Sequence, residues 1–208
     1  LLPDVGGTYF LPRLPGFIGT YMVLTGARLR AADLYYTGIA THYMPSAQLE
    51  KLKQELSAGS DIEETLAGFH ADAGAPPLAE MREAIDACFH ADSVVDIVAA
   101  LGTADTGWAR KQIDIINTKS PTSSAVALRQ MREGAKSDFN SCMQIEMRAV
   151  TRLMALPDFY EGVRAVILDK DNAPSWTPPE HASVAVADID KIFASLGVDE
   201  LQLGGKNA

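Results

Sequence analysis

The densest chemistry in the chain lies at its start, in the run Leu2-Pro3-Asp4-Val5-Gly6-Gly7-Thr8-Tyr9-Phe10-Leu11-Pro12-Arg13-Leu14. Pro3 restrains Leu2 to an extended backbone. Asp4 has the side chain and position of a helix cap for a helix starting near Val5 or Gly6. The two glycines allow another backbone or a thin ligand to approach closely. Two readings of Asp4 follow: a local cap, or an acid presented at the mouth of a pocket. A second acid, Glu146, falls inside an apolar helical stripe with Phe139, Met143, Val150 and Leu153. A buried carboxylate needs a partner. The expectation is a structural ion pair or capping contact serving stability, with Arg164 or Arg129 as the partner; the competing reading is a general base. Glu161 and Arg164 are read as structural.

Other chemistries find little support. His42, His70, His90 and His181 are scattered without metal-ligand spacing. Cys88 and Cys142 form no paired motif, which excludes a disulfide scaffold or cysteine zinc knuckle and fits a reducing compartment. No phosphate-binding glycine loop, dinucleotide fingerprint, serine-nucleophile elbow or calcium loop is present.

The elements that must position these residues are mostly helical. A short helix carries Ile18, Met22 and Val23 and ends at Gly26; another covers Ala31–Thr37, closed by Gly38. Residues 39–44 alternate Ile39, Thr41 and Tyr43 and predict the one strand, without visible partners downstream. Helical stripes follow at Leu49/Leu52/Leu56, Ile62/Leu66/Phe69, Leu78/Met81/Ile85/Cys88, Val94/Ile97/Val98/Leu101 (with Ser93 as cap) and Ala109/Gln112/Ile113/Ile116. Ser120-Pro121 starts a helix that Gly134 closes. A long helix with Phe139, Met143, Met147, Val150 and Met154 inward comes next. Pro157 opens another, with Phe159, Val163, Val166 and Ile167 on one side. Residues 172–179 predict an extended crossing around Trp176. Ile189, Ile192, Phe193 and Leu196 make a last short helix, and the tail from Gly204 is expected to fray.

The opening run resembles the crotonase (enoyl-CoA hydratase/isomerase) superfamily, whose members carry P-x-x-G-G-T-x-x-L-P-R-L followed by T-G-x-x-x-x-A, here Thr25-Gly26 and Ala31. The closer similarity is to the 3-hydroxyisobutyryl-CoA hydrolase branch. It rests on Asp4 where simple hydratases usually carry Gly, on Ile85-Asp86-Ala87-Cys88-Phe89, on Ser120-Pro121-Thr122-Ser123 with Leu128-Arg129-Gln130, and on Asp158 to Ala165 with Asp169-Lys170-Asp171 and Pro174-Ser175-Trp176. The likeness runs along nearly the whole chain.

The resemblance implies a parent α/β fold, a spiral of ββα units followed by a helical region. This chain would be predominantly α, with 1–72 the end of the spiral and 73–208 the helical region. It implies a thioester hydrolase acting on 3-hydroxyisobutyryl-CoA in valine breakdown. Asp4 would be catalytic, Leu2 and Pro3 would adjoin the substrate, and Lys170 would approach a CoA phosphate, against the plainer reading of a solvated lysine. The family's partner Glu and its oxyanion-hole loops would precede Leu1, so the chain reads as truncated and inactive alone. The alternatives are an enoyl-CoA hydratase or isomerase, and a non-catalytic helical interaction module. No cofactor is implied, since CoA is part of the substrate, and no metal is needed.

Composition speaks against a nucleic-acid partner; the acyl-CoA partner is what the resemblance implies. A net charge of −9 opposes nonspecific nucleic-acid binding, and 47% hydrophobic with 22% charged residues fits a folded protein. No apolar run is long enough for a membrane span. The expected location is cytoplasmic, or the mitochondrial matrix in a eukaryote. A homo-oligomer is compatible with the sequence but not specified by it.

Overall fold

Short polar side chains start the helices where the sequence places them. Ser93 Oγ accepts the Asp96 N–H at 3.0 Å, Ser120 Oγ the Ser123 N–H at 3.2 Å, and Asp138 Oδ1 the Ser141 N–H at 2.7 Å. Each satisfies a donor that a helix start leaves orphaned. The computed structural model describes residues 2–204; apart from Gly204, the expected frayed tail lies outside the described residues. The α-helices are α1 Gly7–Phe10, α2 Ile18–Thr25, α3 Ala31–Tyr36, α4 Leu49–Ser57, α5 Ile62–Phe69 and α6 Pro77–Phe89. They continue as α7 Val94–Ala104, α8 Gly107–Asn117, α9 Pro121–Gly134, α10 Phe139–Leu153, α11 Pro157–Val163 and α12 Val186–Phe193. None is long and apolar enough to cross a membrane among the described residues.

The chain divides into two compact units, Arg28–Ala84 and Leu1–Ala27 with Ile85–Ala208. The position 72/73 falls within the first of these, between α5 and α6. In that smaller unit the strand expected at 39–44 does not form, and no strand occurs among the described residues. A lone strand has no ladder to join. The polar groups of Tyr43 are instead satisfied by one loop: its N–H donates to His70 Nδ1 at 3.1 Å and its carbonyl accepts the Ala71 N–H at 2.8 Å. Asp33 is buried and accepts the Arg30 N–H at 3.2 Å and the Leu78 N–H at 2.8 Å, tying α3 to the start of α6.

In the larger unit α9 is central and packs against α1, α2, α10 and α12. Its Val126 joins Ile145, Ala149 and Leu153 of α10, Ile189, Ile192 and Phe193 of α12, and Leu2 in one apolar cluster. The buried face of α10 is Cys142, Ile145, Glu146, Ala149 and Leu153. The expected inward stripe is therefore displaced, and Phe139, Met147 and Met154 are exposed. The smaller side chains Cys142 and Ala149 let α10 come close to its neighbours, a packing advantage that a hydrophobicity pattern under-reports. Val166 and Ile167 are also exposed rather than inward: α11 passes into a π-helical turn over 164–168, which breaks the 3.6-residue period and leaves Ala165 as its buried residue.

Arg164 anchors the crossing that follows. It donates to Glu161 at 2.8 and 2.9 Å, to Asp169 and Asp171 at 2.7 Å each, and to the Ala173 carbonyl at 3.2 Å. Glu161 also accepts the Ser175 N–H at 2.7 Å. Trp176 Nε1 donates to the Thr118 carbonyl at 3.0 Å, and a Cβ on Gly162 would lie 3.3 Å from the Trp176 ring. Buried Asp158 accepts the Ser120 hydroxyl at 2.6 Å and the Thr177 N–H at 2.8 Å, joining the crossing to α9.

Gly134 does not end α9 by a left-handed turn. It admits α1: a Cβ there would stand 2.0 Å from the Thr8 carbonyl oxygen. Gly134→Ala is therefore expected to destabilise the protein by about 1–3 kcal/mol or more, because backbone must move. Gly102→Ala, in an exposed part of α7 where a Cβ meets nothing within 4 Å, should stabilise by about 0.5–1 kcal/mol. Denaturant midpoints of the two variants check this opposition of signs.

The Arg164 guanidinium, with the Ser175 N–H, lowers the Glu161 pKa from 4.5 to about 2. A depressed folded-state value makes the contribution of Glu161 full above pH 4.5 and lost as pH falls toward 2. The Ser195 hydroxyl, followed by Arg148, places Glu200 at about 2 as well, so it acts in the same window. Glu161→Gln should thus be less stable than the native protein above pH 4.5, and the difference should shrink toward pH 2. Thermal midpoints measured across this range give the result.

Candidate functional site

The opening run makes a tight turn before α1. Val5 has φ 46° and Gly6 φ 94°. A positive φ suits Gly6 but strains a β-branched residue such as Val5, whose side chain is 95% exposed. Three consecutive amides of the run have acceptors. Gly6 N–H donates to Glu146 Oε2 at 3.1 Å, Gly7 N–H to the Asp4 carbonyl at 2.8 Å, and Thr8 N–H to Glu146 Oε1 at 2.8 Å. Glu146 is 6% exposed. It spans α1's start from α10, some 140 residues along the chain.

Glu146 is thus buried and makes a capping contact, but neither expected arginine is its partner. Arg164 is engaged as described, and Arg129 pairs with Glu133 at 2.6 Å and Asp190 at 2.5 Å. Two backbone donors at a helix start satisfy the carboxylate instead, through charge-assisted bonds. The expected local cap is absent as well. Gly6, not Asp4, occupies the N-cap, and among the described residues no bond from the Asp4 side chain reaches the helix start. Glu146 holds the donors Asp4 would have taken. The Asp4 side chain is exposed and has no hydrogen-bond or ion-pair partner among the described residues.

Gln130 secures the turn from α9. Its Nε2 donates to the Pro3 carbonyl at 2.9 Å and to Thr8 Oγ1 at 2.8 Å, both groups coming from the run itself. The residue is fully buried. Sequence reasoning gave it no role; the available signal was an amide on the same helical face as Val126, Ala127, Met131 and Gly134. Arg13 completes the frame, donating to the carbonyls of Gly134 at 2.9 Å and Ser137 at 2.8 Å, at the C-terminus of α9, where a cation is favoured. Its guanidinium stacks 3.7 Å from the Tyr9 ring centroid.

The remaining site candidates have distinct placements. The Leu2 side chain is spent on the apolar core, so this residue can face a ligand only through its backbone. Pro3 is partly buried with its carbonyl held by Gln130. Lys170 is exposed at φ 56°, and no hydrogen bond or ion pair joins it to Leu2, Pro3 or Asp4 among the described residues. Two cavities of about 470 and 460 Å³ lie elsewhere, one between α4 and α5, the other between the start of α7, α9 and residues 181–189. None of Leu2, Pro3, Asp4 and Lys170 lines either.

Burial pushes both thiols up, Cys142 with added repulsion from Glu146 and Asp138 against the opposing pull of Arg13. Neither has the lowered pKa of a nucleophilic cysteine. No group of three or more His, Cys, Asp or Glu residues suited to a metal occurs among the described residues. The chemistry that this arrangement offers is that of the Asp4 carboxylate, without a partner among the described residues, on a turn whose backbone is fixed from two helices.

Comparison with known proteins gives that turn a family. Residues 1–193 match the family model described as enoyl-CoA hydratase/isomerase. The chain is 41% identical over 213 aligned residues to the 3-hydroxyisobutyryl-CoA hydrolase, mitochondrial, of Danio rerio, covering 98% of this chain and 56% of that protein. The Homo sapiens protein of the same name is 38% identical over 212 residues, covering 97% and 55%. The chain spans about half the length of the curated relatives it matches. Among solved structures, a carnitinyl-CoA dehydratase from Mycobacterium thermoresistibile matches with a TM-score of 0.90 and 36% identity, over 99% of this chain and 59% of that one. An enoyl-CoA hydratase from Rhodobacter sphaeroides matches with a TM-score of 0.88 and 32% identity, over 98% and 59%. The family model's span, with these relatives and folds, establishes that the chain belongs to the enoyl-CoA hydratase/isomerase family.

Proposed function

We propose that the protein carrying this chain is an acyl-CoA thioester hydrolase acting on 3-hydroxyisobutyryl-CoA, the reaction expected in valine breakdown, with Asp4 as a catalytic carboxylate. One observation carries the reading: among the described residues the Asp4 side chain has no partner, on a turn held by Glu146 and Gln130, within the run that resembles the family's motif. The names of the relatives at about 40% identity support the choice of thioester and acyl group.

Thioester cleavage builds negative charge on the carbonyl oxygen. Backbone N–H donors aimed at that oxygen supply the largest stabilisation. A carboxylate activates water, or attacks the acyl carbon itself, and a second carboxylate moves a proton or positions the substrate. Asp4 takes the second role in this proposal. In this proposal the first carboxylate and the oxyanion donors come from the part of the relatives' length that this chain does not span, and residues 1–72 are the end of the spiral of ββα units. Leu2 and Pro3 would line the acyl group through their backbone, and Lys170 would meet a CoA phosphate. CoA belongs to the substrate, so the proposal includes no separate cofactor.

The second reading, an enoyl-CoA hydratase or isomerase, draws on the solved structures, which carry dehydratase and hydratase names on the same fold. Fold alone does not separate the two. Free thiol released from 3-hydroxyisobutyryl-CoA identifies the hydrolase; loss of the crotonyl-CoA double bond without thiol release identifies the hydratase, and absence of both identifies a non-catalytic module.

In the product of the open reading frame that contains this sequence, Asp4→Asn should reduce kcat for thioester cleavage by roughly 10²-fold or more, the scale of a lost acid or base. Its thermal midpoint should hold, because Asp4 makes no side-chain bond among the described residues. An unchanged kcat would show that Asp4 is not catalytic. The 208 residues alone should release thiol at least roughly 10²-fold more slowly than that product, the effect of a missing oxyanion donor. Equal rates would place the whole catalytic apparatus within this chain.

A further inference from the structure

We propose that Glu146 is a positioning residue for Asp4: by occupying the Gly6 and Thr8 amides it keeps the Asp4 carboxylate off the helix start and free to meet substrate. The proposal rests on the reading of Asp4 as a catalytic carboxylate and adds a residue through which that carboxylate acts.

Asp4 and Glu146 compete for the same kind of donor. An acidic side chain just before a helix ordinarily accepts an N–H two or three residues on. Asp4 has that sequence position relative to Gly6 and Gly7, yet among the described residues its side chain bonds neither of them nor Thr8. Glu146 accepts two, at 3.1 and 2.8 Å, from α10. The Gly7 N–H is taken by the Asp4 carbonyl. The Gly6, Gly7 and Thr8 N–H groups are therefore all occupied by acceptors other than the Asp4 carboxylate.

Stability calls for only part of this arrangement. The Thr8 amide is buried and needs an acceptor, whereas the Gly6 amide is part-buried and follows Asp4 by two residues, the spacing at which an acidic side chain can take it. Burying the Glu146 carboxylate costs desolvation, and no Lys or Arg forms an ion pair with it among the described residues. The turn is also strained at Val5, a conformation that persists only where surrounding structure dictates it. Glu146 and Gln130 supply that dictation at Gly6, Thr8 and Pro3, the residues bracketing Asp4. Their combined effect is a defined backbone beneath a side chain with no restraint of its own.

The test is a double-mutant cycle in the product of the open reading frame that contains this sequence. kcat and KM for thioester cleavage are measured per folded molecule, at a temperature where every variant is folded. Glu146→Ala is expected to lower kcat by roughly 10²-fold, the scale of a misplaced reacting group, with KM within about threefold. Glu146→Gln keeps one acceptor and turns an amide NH₂ toward the other N–H, so it should fall between Ala and native. In an Asp4→Asn background, Glu146→Ala should lower kcat by less than about threefold further, since the group it positions is already disabled.

A native kcat for Glu146→Ala, with Asp4→Asn slow, would overturn the positioning role and leave the catalytic reading of Asp4 standing. A full roughly 10²-fold further loss in the Asn background would also overturn it, by showing that Glu146 acts independently of Asp4. An unchanged kcat for Asp4→Asn would overturn both readings. If Glu146→Ala does not fold, the cycle is read with Glu146→Gln, for which a native kcat or a full additive loss overturns the proposal in the same way.

Discussion

The Glu146 carboxylate is the constraint on which the opening turn depends. It lies in a largely apolar layer and balances its burial with two backbone N–H groups at the start of α1. A buried charge without its partners is costly, so removing either side of this contact exposes an unsatisfied group on the other. The direction of support is also informative. α1 is one turn long and would not persist alone. α10 has fifteen residues and its own apolar face. The long helix therefore organises the short one, and the turn carrying Asp4 takes its shape from α10 and α9.

The close approach that permits this contact comes from small residues. Gly134 lets α9 meet the Thr8 carbonyl, and Gly19 lets α2 meet the Leu11 carbonyl; a Cβ at either would stand 2.0 Å from that oxygen. Arg13 then closes the frame on the C-terminal carbonyls of α9. Leu2 plugs the run into the core before the turn begins. Within one sequence run, neighbours thus account for an apolar anchor, a proline carbonyl, a glycine N-cap and a buried threonine.

Much of the architecture was legible in the sequence because helix periodicity and caps are local signals. Ser93, Ser120 and the Ile189/Ile192/Phe193 face appear as read. The failures share a different cause. Asp4 looks like a cap because capping rules consider only nearby residues, whereas a side chain about 140 positions away takes the donors first. Arg164 looks like the partner of Glu146 because opposite charges suggest a pair, yet it has three carboxylates beside it in its own segment. Phe139 and Met147 look buried because they are large and apolar; the observed face uses Cys142, Ile145 and Ala149, where size permits contact. The strand at 39–44 had the right alternation but no partner. Glu146 itself was legible as an acid in an apolar stripe, and Gln130 was not, because a buried amide leaves no charge anomaly to notice.

The account makes the two Glu146 bonds the support of the Asp4 turn, and amide hydrogen exchange reads those bonds directly. In the native protein the Gly6 and Thr8 amides should exchange slowly. In Glu146→Ala both should become fast, while α9 amides such as those of Val126 and Met131 keep their protection. Fast exchange at Gly6 and Thr8 in the native protein, or unchanged slow exchange in the variant, would contradict it.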